Sequence, residues 1–176
     1  MRGTHRKMLS DWQAPYLQAL ARQIETQSKE TLARWAVVYA EREILPLWTS
    51  HNPGDERPRE ALDAAQAWLA GEVKLPQAKP AILACHAAAR EAADNPVAQA
   101  AARAIGQSAS TIHSARHCIG LALYGALALA YHRLGTQAGW DELESAAAKE
   151  CESMLKTLLE VSVPDEPKPA KFSWQC

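Results

Sequence analysis

The sequence predicts an all-α fold, a single-domain irregular bundle of about six or seven helices. The chain of 176 residues is 48% hydrophobic yet contains only one Phe. About one residue in five is Ala, the best helix former, whereas β-branched residues are few. Apolar positions recur in steps of three and four, and no run alternates apolar and polar residues as a half-buried strand would. The helical domain is expected over residues 1–163, followed by an extended or disordered tail over residues 164–176.

Ser10 or Asp11 is placed to cap a first helix, in which Pro15 is tolerated near the first turn and which fades around Gln27. Ser28 offers a second cap before Leu32, Trp35, Ala36, Tyr39, Ala40 and Ile44 lay down one apolar stripe. Pro46 should end or kink that helix near Trp48. Thr49 to Arg57 reads as turn chemistry throughout, and Pro58 suits the first position of the next helix. That helix runs to Ala70 and stops at Gly71, burying Ala61, Leu62, Ala65, Trp68 and Leu69. The Ala-dense segment from about Gln77 to Asp94 turns Ile82, Cys85, Ala89 and Ala93 inward. Asn95-Pro96 repeats the cap-plus-proline start, and helical pattern then persists to Leu134, too long for one globular helix. The Ser- and Thr-bearing stretch Ser110 to Arg116 is the expected break, giving two antiparallel helices. Gly135 and Gly139 mark a turn before a last amphipathic helix that uses Leu143, Ala147, Cys151, Met154, Leu155 and Leu158. Within the tail, Phe172 and Trp174 form an aromatic pair of the kind that docks on a neighbour.

A formal net charge of -1, from 19 Lys and Arg against 20 Asp and Glu, gives no global field for capturing nucleic acid or an anionic membrane. The most apolar stretch, Cys118 to Tyr131, is shorter than the roughly 20 residues a bilayer-spanning helix needs and is bracketed by Arg116, His117, His132 and Arg133. Arg2, Arg6 and Lys7 lead into Leu9-Ser10-Asp11-Trp12 without the apolar region of a signal peptide, so a cytoplasmic location is expected, with neither nucleic acid nor membrane as partner. Cys85, Cys118, Cys151 and Cys176 lie far apart without CxxC or metal-knuckle spacing and read as reduced packing thiols.

Asp55-Glu56-Arg57-Pro58-Arg59 sets two guanidinium groups and two carboxylates across a loop-to-helix junction. Arg57 and Arg59 suit a fork for an anion or a partner carboxylate, assisted by the helix N-terminus. The structural alternative has Asp55 capping the helix while the arginines pair with Glu41 or Glu43. His113 and His117 share a face if their helix is continuous, and His86 could approach from a neighbour, which makes the three histidines candidate metal ligands. There is no HExxH motif and no suitably spaced carboxylate, so neither a metal nor a cofactor is assigned. Cys85 and His86 are sequence neighbours on different helical faces, which prevents their direct contact; His113 or His117 beside Cys85 or Cys118 is the pairing left open in three dimensions, and no catalytic residue is assigned. Walker and dinucleotide-binding glycine patterns are missing as well. Trp35 and Trp68 occupy core positions, whereas Trp48, beside the polar loop, suits either the core or a partner anchor.

The segments Ala40-Glu41-Arg42-Glu43-Ile44-Leu45-Pro46-Leu47-Trp48, Asp55-Glu56-Arg57-Pro58-Arg59-Glu60-Ala61-Leu62, Trp68-Leu69-Ala70-Gly71-Glu72, His86-Ala87-Ala88-Ala89-Arg90 and Thr111-Ile112-His113 occur in this order over roughly residues 34 to 130. Together they resemble a bacterial immunity protein family, the immunity protein five-like domain of polymorphic toxin systems. The resemblance implies an all-helical cytoplasmic protein that binds and neutralises a cognate toxin. It puts Asp55, Arg57, Arg59, Trp68, His86, Arg90, His113 and His117 on the family's recurrent positions.

The resulting expectation is a non-enzymatic inhibitor that occludes a cognate protein toxin through a surface containing the Asp55 to Arg59 loop and nearby helix ends. Its partner- or ligand-binding residues would be Trp48, Asp55, Arg57, Arg59, Trp68, His86, Arg90, His113 and His117. The alternative is a small helical metal- or ligand-binding protein, or an enzyme, with a polar pocket built from His86, Arg90, His113 and His117, with Arg57 as a further candidate.

Overall fold

Local caps and first-turn prolines decide where the helices of the computed structural model begin; it describes residues 5–174. α1 (Pro15–Ile24) starts later than Ser10 or Asp11 because Pro15 takes a first-turn position, while Asp11 instead accepts the Gln13 N–H at 3.1 Å. α2 (Lys29–Tyr39) is capped by Ser28, whose side chain accepts the Thr31 N–H. The chain does not leave the helix at Pro46. It widens into a π turn at Ala40–Ile44, with the Leu45 N–H reaching back to the Ala40 carbonyl, and continues as α3 (Leu45–His51). The wider turn accommodates the N–H that Pro46 lacks. Thr49, Ser50 and His51 are therefore helical, and the turn shrinks to residues 52–56, where Gly54 holds φ at +91°.

α4 (Arg57–Leu69) carries Pro58 in its first turn and gives way to Gly71 at φ +76°. Trp68 and Leu69 are half-buried rather than buried, because they lie at the end of the inward stripe formed by Ala61, Leu62 and Ala65. α5 (Leu75–Glu91) begins earlier than Gln77, whose side chain accepts the Lys74 N–H at 2.8 Å. It also ends earlier, so Ala93 is exposed. α6 (Pro96–Ser110) is capped by Asn95, which accepts the Ala98 N–H at 3.1 Å. The helix breaks after Ser110 as the sequence predicts, and a single 3₁₀ turn (Ala115–Cys118) and a π turn (Leu121–Ala126) lead into α7 (Leu127–Leu134). α8 (Trp140–Val161) buries Leu143, Ala147, Cys151, Met154 and Leu158, whereas Leu155 sits at the margin. With α2 and α3 joined end to end, seven rods make an all-α single domain.

α6 is the axis of the molecule. Of its 15 residues only Pro96, Arg103 and Gln107 escape burial, and α2, α3, α4, α5 and α7 all pack on it. Its alanines allow that approach, since each neighbour meets a surface of methyl groups and backbone. Gly125 serves the same purpose in the second π turn, where a Cβ would lie 3.2 Å from Ile44 Cδ1 and 3.4 Å from Ala104 Cβ. α8 closes the outside, tied to α1 by the Tyr16 hydroxyl on Glu144 (3.0 Å) and to α2 by the Trp35 indole N–H on Thr157 (3.0 Å). Among the described residues no helix is long and apolar enough to cross a membrane.

The segment after α8 folds back on the α1–α2 junction. The buried Gln27 side chain accepts the Val163 N–H (2.8 Å) and donates to the Val163 carbonyl (3.1 Å), while its own carbonyl accepts the Ala170 N–H (2.8 Å). Farther along, Phe172 stacks on Trp174, which packs at an angle against Trp12 and donates to Glu25.

Candidate functional site

The loop before α4 is organised by Arg57. Its guanidinium donates to Asp55 Oδ1 (2.9 Å) and Oδ2 (2.7 Å) and also to Glu91 Oε1 (3.1 Å) and Oε2 (2.7 Å), tying the start of α4 to the end of α5. Asp55 in addition accepts the Arg57 backbone N–H at 3.2 Å. The side-chain bond from Arg57 holds both carboxyls below their ordinary values. The expected pairing with Glu41 or Glu43 does not form, because those carboxylates take Gln66 Nε2 and Arg42 Nε instead. Arg59 sits outside the clamp, about half exposed, 3.4 Å from Glu56.

Trp48 braces the loop from below. It is 2% exposed and its indole N–H donates to the Asp55 carbonyl at 2.9 Å, so its ring fills the core and offers no surface anchor. Trp68 keeps one face accessible, with the Lys29 ammonium 5.3 Å from its ring centre.

The histidines do not form a triad. Because α6 stops at Ser110, His113 falls in an exposed turn and His117 in the 3₁₀ turn, and the i, i+4 face they would have shared is lost. His117 Nδ1 lies 2.8 Å from Gln107 Oε1, and His86 Nε2 lies 3.2 Å from Ser110 Oγ. The three do border one cleft of about 150 Å³, floored by Leu75, Ile82 and Leu83. Among the described residues no group of three or more His, Cys, Asp or Glu is arranged to hold a metal ion.

His86 also borders a second cleft of about 260 Å³, formed by Arg90 from α5, Arg103 and Gln107 from α6, and Tyr124 from the second π turn. Arg103 extends over the Tyr124 ring, 5.8 Å from its centre. No carboxylate lines either cleft, and neither Arg90 nor Arg103 makes an ion pair among the described residues. Burial, and then the charges of Arg90 and Arg103, push the His86 imidazole below its ordinary value. His117 moves the same way through burial, then Arg116, His113 and His86. Gly106 permits the His86 ring to lie on α6, since a Cβ there would be 2.6 Å from the ring Cε1. Sequence reasoning named His86 and Arg90 but missed Arg103, Gln107 and Tyr124. One signal was available: Arg103 is the only charge in α6, and Gln107 follows it one helical turn later.

Cys85, Cys118 and Cys151 are buried thiols. Cys85 Sγ lies 3.4 Å from the Ala102 carbonyl, and burial pushes both Cys85 and Cys151 up to about 12 and Cys118 higher still. Thiols held in the protonated form are poor nucleophiles. Cys176 lies outside the described residues.

Fold and site together define an all-α protein that carries, among its described residues, an ion-pair clamp at a loop and a carboxylate-free cationic groove beside it. The chain belongs to the family described as Imm-5 like putative immunity protein, whose model matches residues 22–157. That span contains the clamp, the groove and the whole of α2 to α7. No curated protein and no solved structure matches the chain.

Proposed function

We propose that this protein binds and neutralises a cognate bacterial toxin without catalysis, acting in the cytoplasm of the cell that carries a polymorphic toxin system. The observation that carries the reading is the family match over residues 22–157. The proposed contact surface is centred on the α3–α4 loop and the adjoining helix ends. Arg57 is saturated by Asp55 and Glu91, and its role is to hold that surface in one shape, while Arg59 and Arg90 are the exposed cations beside it. A surface fixed before encounter loses little conformational entropy on binding, and exposed arginines supply steering and anchoring. Trp68, in the last turn of α4, and His113, beside the start of α5, are accessible but lie away from the loop, whereas Trp48 supports it from inside.

The test is co-expression with the toxin encoded beside the gene. Growth should be restored and the two proteins should co-purify. An Arg59→Glu/Arg90→Glu pair, with an unchanged thermal melt, should weaken the complex by about tenfold or more. A toxin that neither binds nor is silenced by the wild-type chain would overturn the reading.

A further inference from the structure

We propose that the groove between α5 and α6 is the seat for one acidic and apolar segment of a protein partner, its carboxylate held by Arg90 and Arg103 and a neighbouring apolar side chain resting on Leu75, Ile82 and Leu83. The proposal takes the partner to be a protein and in that respect rests on the immunity reading.

The first support is the placement of Arg103. In a helix buried on nearly every side, Arg103 and Gln107 occupy the stripe left open, and that stripe faces the groove. A half-buried guanidinium without a carboxylate loses hydration and gains no ion pair, an arrangement that an incoming anion relieves. Arg90 adds a second cation from the opposite wall. Arg42, Arg57, Arg59 and Arg133 have carboxylate partners; Arg6, Arg22 and Arg34 make no ion pair among the described residues but are exposed, so Arg103 is set apart by being half-buried in a cleft that no carboxylate lines.

The second support is the change of character along α5. Leu75, Lys79, Ile82, Leu83, His86 and Arg90 follow one another at helical spacing, with three apolar side chains and Lys79 along the first cleft and Arg90 on the second, and with His86 bordering both. Leu83 is 54% exposed, so the apolar half lacks a cover among the described residues. Volumes of about 150 and 260 Å³ suit two side chains of a docked segment. They fall short of the roughly 300 Å³ and more of a drug-sized ligand pocket. Arginine on one side and an exposed leucine on the other demand a ligand with a carboxylate and an aliphatic or aromatic group at fixed separation, which a peptide provides.

A random dodecapeptide library displayed on phage and selected on the immobilised full chain tests this without the toxin. Enriched peptides should combine Asp or Glu with a nearby Leu, Ile, Met or Phe. As synthetic peptides they should bind Arg90→Glu, Arg103→Gln and Leu83→Asp about tenfold or more weaker than wild type, and Lys149→Glu, an exposed cation on α8, equally well. Circular dichroism should show all four variants folded, and Arg90→Glu and Leu83→Asp, both at exposed positions, keep the test intact if Arg103→Gln is unstable. Failure to enrich acidic peptides, equal binding to the groove variants, or displacement by an RNA oligomer at equal concentration would overturn the proposal. Peptides that bind the groove in a protein unable to silence its toxin would defeat the immunity reading alone; a toxin bound with full affinity by Arg103→Gln and by Leu83→Asp would defeat the groove alone.

Discussion

Arg57 shows how much one side chain can impose on a loop. Four hydrogen bonds to two carboxylates, one on its own turn and one 34 residues away, join two helix ends that no apolar contact at that spot would register. The planar fork is what makes this possible, because an ammonium keeps the charge but not the paired geometry. Arg57→Lys should therefore lower stability by about 1 kcal/mol, a modest loss because the Glu91 end is well exposed to water. Urea unfolding of Arg57→Lys beside Glu91→Gln measures it, and the double variant should cost less than the sum of the two if they report one interaction. Trp48 acts on the same loop from the other side, and its bond to the Asp55 carbonyl explains why a large aromatic beside polar turn residues is nevertheless buried.

At the scale of elements, chain-local chemistry and packing divide the work. Helix starts follow caps and prolines, which act within one turn and are visible in any window of sequence: Ser28, Asn95 and Pro58 each stand where a helix begins. Helix ends and interruptions depend on what lies across the interface. The π turn before Pro46 keeps α2 and α3 in one rod, so that Ile44, Leu45, Leu47 and Trp48 all reach the core. A local reading of Pro46 as the site of an end or a kink near Trp48 does not reveal the π turn or the helix that follows it, because the stabilisation comes from burial and not from the turn itself. The tail is a parallel case. Its Pro-rich composition is unfavourable for helix, yet Gln27 provides a side-chain amide and a backbone carbonyl that hold it in place. Gln27→Ala should leave the Val163 peptide without its buried partner and cost about 1–3 kcal/mol, read as a lower unfolding midpoint in urea with an unchanged slope.

For the whole molecule, buried titratable groups set the pH range of stability. His86 and His117 have folded values below the ordinary 6.5, so the unfolded chain binds more protons as pH falls through 6.5, and stability drops with it. Asp55 and Glu91 are likewise held below their ordinary values of 3.8 and 4.5, adding a second loss as pH falls through that range. The thiols of Cys85, Cys118 and Cys151 act at the other end. Their folded values are raised above the ordinary 9.0, so the unfolded chain gives up protons first and stability declines as pH rises past 9.0. Unfolding midpoints should therefore peak between pH 6.5 and 9.0 and fall on both sides. His117→Gln should flatten the decline from neutrality towards pH 5.5, and a midpoint indifferent to pH across that interval would contradict the assignment.

Composition and periodicity alone determined that this chain is helical, where most of its helices begin, and which residues form its inward stripes, because helix propensity, capping and amphipathic burial are properties of neighbouring residues. The ordered segments also carried the family resemblance, which is a property of the chain and not of its folded shape. Tertiary structure decided what the polar residues do. It paired Arg57 with Glu91 instead of Glu41 or Glu43 and placed Trp48 beneath a loop, whereas the break after Ser110 that parts His113 from His117 was already legible in the Ser- and Thr-bearing sequence. It also brought Arg103, Gln107 and Tyr124 to His86 and Arg90. The reason is physical: a buried apolar side chain accepts many neighbours, whereas a guanidinium or imidazole takes its meaning from the few directed contacts within hydrogen-bond reach, and those are made only when distant turns of helix meet.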